Sequence, residues 1–304
     1  MKRKYLVSLL LVLLLILAGC GSTGAKGSEL PTVDRAGYEI ELPKKVETII
    51  SMAPSTSQVI EELGLKDKLI GVDMQTPFYV EGVDQLAQFE LMSPDLEAMA
   101  ALKPDLVFVT GMSSQGGEDI YQPLKDLGIV VATIPSSESI EEIKNDNQFI
   151  ADALGQSKKG KEINDKMQEA IDEIAKKAEA AESKKTVLFE IAALPTIYSF
   201  GNSTFMNELI ELAGGENIFA DEYSWIAVNE EAAISKNPDV ILTNVNYLED
   251  SVAEILSRDG WEQVEAVKNG DVYYIDNGYS SLPNHKIVLA LQEMAKALHP
   301  EIFK

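Results

Sequence analysis

The sequence predicts an α/β protein of two similar lobes with mainly parallel sheets, joined by one long helix. Three observations predict it. Short apolar strands alternate with helical patterns, the second half repeats the first, and a long amphipathic segment separates them.

In the first half, residues 46–51 read as a strand, followed by a Pro-Ser-Thr-Ser break and a helical pattern over 58–63. Residues 69–72 give the next strand and 97–102 a helix. A Lys103-Pro104-Asp105 turn then leads into strands over 106–110 and 130–134. The second half has strands at 186–191, 218–219, 240–243 and 272–275, with helices over 204–213, 231–235 and 286–298. Each strand is a short β-branched or apolar run bounded by turn residues, as buried parallel strands are.

The halves also align directly. Residues 97–110 match 231–243, with Glu97 and Glu231 each standing seven residues before a Pro-Asp turn at Pro104 and Pro238. Residues 60–73 parallel 210–221 in the same order. A repeat at this long spacing describes two lobes, not a solenoid.

Between them, Ile163, Met167, Ile171 and Ile174 recur at helical spacing within a Lys/Glu/Ala-rich stretch. They put one apolar stripe on a helix of about 22 residues, roughly 33 Å long. Alone this would suit a surface helix or a coiled-coil arm. Between two lobes it reads as a strut that limits their swing. The expected boundaries are a signal peptide over 1–19, a tether over 20–34, an N-terminal lobe over 35–154, a linking helix over 155–183 and a C-terminal lobe over 184–304.

Lys2, Arg3 and Lys4 precede an apolar run over residues 7–18, interrupted only by Ser8, that ends in Leu17-Ala18-Gly19-Cys20. About a dozen apolar residues are too few to span a bilayer, and basic residues ahead of them mark a secretory signal rather than an uncleaved anchor. The ending resembles the bacterial lipobox, in which the cysteine becomes the lipid-modified N-terminus. Cys20 is the single cysteine, so no internal disulfide is expected. The small polar residues after it read as a flexible tether. The expected location is the extracytoplasmic face of a cell membrane, held only through the lipid, with the outer surface of a Gram-positive cell favoured.

The chain has a formal charge of −23, and removal of the three basic residues of the leader takes it to −26. Nucleic acid and anionic lipid surfaces need clustered Lys and Arg, so neither is an expected partner. Beyond the leader the arginines are Arg35 and Arg258, and the only histidines are His285 and His299. Neither histidine lies in a catalytic motif, and no clustered His/Cys pattern marks a metal site, so an enzyme is not expected.

Two α/β lobes joined by a long helix behind a lipobox resemble the ABC-transporter solute-binding proteins for iron-siderophores, haem and cobalamin. The resemblance is carried by residues 50–64, 94–107, 204–218 and 261–273, in order. It implies two Rossmann-like lobes, a ligand site in the cleft between them and delivery to an ABC permease dimer with its ATPase. It further implies that Glu97 and Glu231 dock on the two permease subunits. Paired carboxylates on similar lobes would fix register on a two-fold partner, although a first-turn glutamate also suits the helix dipole.

On the same resemblance, the cleft candidates are Pro54, Ser55, Phe78, Tyr79, Phe89, Met92 and Met112 from the first lobe. The second lobe offers Tyr198, Trp225, Asn246, Tyr247 and Tyr279. Trp225 falls where relatives place an aromatic against the ligand, although it would also suit a core. Trp261 reads as a core residue. Many relatives carry an Arg-Pro-Gly-Pro-Arg segment where this chain has Leu282-Pro283-Asn284-His285-Lys286. With no arginine cluster to clamp an anionic catecholate, a neutral or cationic metal chelate is expected. A ferric hydroxamate stands first, a corrinoid next and haem last. Haem would use Met92, with His285 as a displaced partner because Asn246 stands where relatives have the histidine. No resident cofactor is expected; iron or cobalt would arrive inside the ligand. The remaining alternatives are a bare zinc or manganese binder, for which two histidines are too few, and a surface interaction lipoprotein without a transport role.

Overall fold

In the computed structural model, which describes residues 30–114 and 119–304, the apolar runs of each half become the buried centre of a parallel sheet. The leader, Cys20 and the tether up to residue 29 lie outside the described residues.

The first sheet holds β1 (Ile49–Ser51), β2 (Leu69–Asp73), β3 (Ala87–Phe89), β4 (Leu106–Thr110) and β5 (Val130–Ile134). Their order is β3-β2-β1-β4-β5, with every neighbouring pair parallel. Alternate side chains feed opposite faces. Ile49, Val72 and Phe108 enter one core, while Ile50, Val107 and Val109 enter another with Met99 and Tyr121. Helices α1 (Pro54–Glu62), α2 (Leu96–Ala101) and α3 (Gln122–Asp126) connect the strands. The chain turns in opposite directions from β1 and β4, which opens a crevice at their C-terminal ends, where ligands bind in such sheets.

The expected linking helix is present, and a second helix beside it also packs on both lobes. Helix α4 (Ile140–Ala153) was not apparent in the sequence because polar Asn, Asp and Gln break its apolar pattern. It runs antiparallel to α5 (Ser157–Ala178), the expected strut. A Cβ on Gly160 would sit 2.4 Å from that of Ala151, so the close approach of α4 and α5 requires glycine there. The stripe on α5 changes owner along its length. Ile163 packs in the first lobe's core, whereas Met167 and Ile171 pack in the second's. Helix α4 does the same, with Phe149 and Ile150 in one core and Ile140 and Ile143 in the other.

The second lobe contains β6 (Lys185–Glu190), β7 (Ile197–Phe200), β8 (Gly215–Asn217), β9 (Trp225–Val228), β10 (Val240–Thr243) and β11 (Val272–Tyr274). A parallel sheet runs β11-β10-β6-β8, and β7 pairs antiparallel with β9 beside it. The strand expected over 218–219 is displaced to β8. Gly215 lies against Leu298 and Ile210 with no space for a Cβ, while Phe219 leaves the ladder for the core. The helices are α6 (Phe205–Leu212), α7 (Glu230–Lys236), α8 (Ser251–Leu256), α9 (Glu265–Asn269), α10 (Asn277–Ser280) and α11 (Ile287–Leu298). Helices α2 and α7 occupy equivalent places. Each is followed by a residue in the left-handed region, Lys103 at φ 52° and Asn237 at φ 46°, directly before the Pro-Asp turn.

Candidate functional site

The C-terminal ends of β1 to β5 all open into one cavity of 680 Å³ between the lobes. Residues just beyond each strand line it: Ala53 after β1, Met74 after β2, Glu90 after β3, Met112 after β4 and Pro135 after β5. The second lobe closes it with Phe205, Ser224, Trp225 and the loop Ser281–Pro283.

Trp225 is 49 % exposed, and its ring stands edge-on to the buried Phe200 at 5.7 Å. The strand pairing of β9 with β7 and this contact hold the indole without covering it, leaving a flat apolar face toward the cavity. Across the cleft, the Tyr79 hydroxyl donates to Oδ1 of Asn277 at 3.0 Å. Nearby, Nδ2 of Asn284 donates to Oε1 of Gln58 at 2.6 Å, and both of those side chains are buried. At the start of α4, the Ile140 amide donates to Glu208 of the second lobe at 3.0 Å. The Tyr79–Asn277 and Gln58–Asn284 contacts join the lobes directly, in addition to α4 and α5.

The cavity's electrostatics are one-sided. Asp73, Glu90, Glu138 and Asp146 line it, and among the described residues no Lys, Arg or His does. Asp146 is held by the Ser137 hydroxyl at 2.6 Å and by Nε of Arg35 at 2.5 Å. Burial nevertheless pushes its carboxyl above the ordinary range. Asp73, only 3 % exposed, accepts the Gln75 amide at 2.8 Å. Burial raises its carboxyl too, and the charge of Glu90 adds to the effect.

Of the expected cleft residues, Pro54, Ser55, Tyr79, Met112 and Trp225 line the cavity. The others stand outside it. Phe78 is exposed next to Tyr79, and Phe89 is buried in the first lobe's core. Met92, Tyr198 and Asn246 are exposed. Exposed Tyr247 accepts the Ala193 amide through its hydroxyl, and Tyr279 packs on the second lobe's core. His285 is half-buried, with Nε2 3.9 Å from Glu62, and neither it nor Met92 lines the cavity, so the two do not meet there. Trp261 is fully buried, with its indole N–H donating to Glu230 at 2.9 Å. Glu97 and Glu231 are both exposed in the first turns of α2 and α7. Asp73, Gln75 and Glu90 were not anticipated. The signal for them was position, because each follows or ends a strand at the sheet's C-terminal edge.

The sequence profile of the Periplasmic binding protein family matches residues 49–279, and the chain belongs to this family of non-enzymatic substrate-binding components of transport systems. It is 30 % identical over its full length to the uncharacterized ABC transporter substrate-binding lipoprotein YvrC of Bacillus subtilis (strain 168), covering 99 % of that protein. It is 26 % identical to a cobalamin-binding protein of Halobacterium salinarum, across 88 % of this chain and 73 % of that one. The fold is also that of the periplasmic vitamin B12 binding protein BtuF of Vibrio cholerae, with a TM-score of 0.70 at 22 % identity, covering 85 % of this chain and 98 % of that one.

Proposed function

We propose that this chain is the lipid-anchored, extracytoplasmic substrate-binding component of an ABC importer, and that its cargo is a corrinoid. The observation that carries this reading is the 680 Å³ interlobe cavity, walled by Trp225, Tyr79 and methionines and, among the described residues, free of basic side chains. An amide-fringed macrocycle suits such a wall, since its flat face meets aromatics and its amide N–H groups meet carboxylates. The cobalamin-binding relative supports the same choice. Haem propionates and anionic catecholates would meet Asp73 and Glu90, which have no cation against them among the described residues. A ferric hydroxamate is the second reading, favoured by the same absence of basic lining residues. In this account Glu97 and Glu231 dock the loaded protein on the permease dimer, and Cys20 holds it nearby.

Titration of the purified protein with cyanocobalamin, a ferric hydroxamate, a ferric catecholate and haem, followed by tryptophan quenching, tests this. Saturable binding of the corrinoid, tighter than that of the other three, is expected. Binding of haem or the catecholate alone overturns the reading.

A further inference from the structure

Asp73 is unusual among the acidic groups of the cleft. Asp146 has Arg35 against it, whereas no Lys, Arg or His pairs with Asp73 among the described residues. Its partner is the backbone amide of Gln75. It is nonetheless almost wholly buried at the end of β2, on the cavity wall, with a second carboxylate, Glu90, close enough to perturb it. Burying an ionised carboxylate without a cation costs free energy, and a second negative group beside it adds to that cost. Nothing in the surrounding packing offsets this. The cores of the first lobe are apolar and complete without Asp73, and the cavity is the space its wall faces.

We propose that Asp73, with Glu90 beside it, is a specificity-determining counter-charge for a positively charged group on the ligand, so that the cleft prefers cationic chelates over neutral ones of the same shape. The inference rests on the cavity being the chelate site and adds the sign of the charge it selects. Arg35 divides the acidic lining into two parts. The Asp146 side is neutralised from within the protein, and the Asp73 side is left for the ligand to neutralise. A ligand cation arriving there loses its hydration but gains two carboxylates in a partly desolvated site, where the attraction is stronger than in water. An anionic ligand meets repulsion from the same pair.

The test uses matched pairs of chelates that differ mainly in charge. Aquacyanocobinamide carries one positive charge and dicyanocobinamide none; ferrioxamine B carries a pendant ammonium that ferrioxamine E lacks. The purified protein is titrated with each at low and at high salt. The expected result is a preference on the order of tenfold for the cationic member of whichever pair binds, reduced by salt. Asp73→Asn should abolish that preference by lowering the cationic member's affinity several-fold more than the neutral member's. Glu90→Gln, at an exposed position that folding does not depend on, should weaken the preference by several-fold and serves if the Asp73 variant is unstable. Equal affinities for both members of a binding pair would overturn the counter-charge and leave the chelate-binding reading standing. Failure of every chelate to bind would remove both.

Discussion

The Thr48 hydroxyl accepts the backbone amide of Asp105 at 3.0 Å, while Oδ2 of Asp105 accepts the amide of Thr48 at the same distance. The second lobe repeats this exchange between Thr186 and Asp239, at 3.0 Å and 2.8 Å. In both lobes the aspartate belongs to the Pro-Asp turn after a helix, α2 or α7, so the same clamp ties the end of each helix to its sheet. The first turns of those helices, N-capped by Asp95 and Asn229, present Glu97 and Glu231 in equivalent ways.

This equivalence bears on transport. Glu97→Ala combined with Glu231→Ala is expected to leave ligand affinity unchanged, because neither residue lines the cavity. Uptake by cells carrying the double variant should fall by roughly tenfold or more, as for loss of paired charges that set register on a partner. Normal uptake with a normal amount of protein at the membrane would remove both residues from docking.

Trp225→Ala should weaken ligand binding by about 2 kcal/mol, the size expected for a central aromatic contact. The signal should change as well. Trp261 is fully buried and bonded to Glu230, so the emission that remains should be insensitive to ligand. Quenching that persists in the variant would place the ligand elsewhere.

Arg258 donates to both carboxylate oxygens of buried Glu190, at 2.7 and 2.8 Å, and to Glu254 at 2.6 Å. Its guanidinium also stacks 5.0 Å from the Trp261 ring. Arg258→Met leaves the Glu190 carboxyl without its partner in the core, at an expected cost of about 3–5 kcal/mol in urea unfolding. Recovery of much of that loss in the Glu190→Gln, Arg258→Met double variant would identify the unpaired charge as the cause; no recovery would point to lost packing instead.

Burial holds the His285 imidazole down at about 4, with Lys286 adding to the effect. Its depressed folded value makes its contribution to stability complete above the unfolded value of about 6.5, and that contribution is lost as pH falls toward 4. The loss amounts to roughly 3 kcal/mol for a shift of this size. His285→Gln should therefore narrow the gap between stability at pH 7 and at pH 4.5, measured by urea unfolding. An unchanged gap would mean that the histidine is protonated in the folded protein.

Much of the fold was legible because it is built from contiguous signals. β4, β5 and β10 are continuous apolar runs between turns, and α5 carries its stripe at regular spacing. Helix α4 and the β7–β9 pair were not legible. The apolar stripe of α4 is broken by buried Asp146 and Asn147, and β9 is a short strand whose Trp225 lines the cleft. The site was read in part. Aromatic and methionine candidates came from resemblance, and Tyr79, Met112 and Trp225 reached the cavity. Phe89 did not, because side chains alternate along β3 and its position faces the core. Asp73 was missed because an aspartate after a strand looks like an ordinary turn residue until the crevice is assembled around it.

The sharing of α4 and α5 between two cores has a consequence for how the molecule melts. Ile163 and Phe149 cannot leave the first lobe without dragging Met167 and Ile143 from the second. Neither half is thus autonomous in the thermodynamic sense, whatever its ancestry as a repeat. A cut at the turn between these helices would leave each fragment with an apolar helix face that only the other can cover. Helices shared in this way couple the two lobes, so a single unfolding transition followed by circular dichroism is the expected outcome.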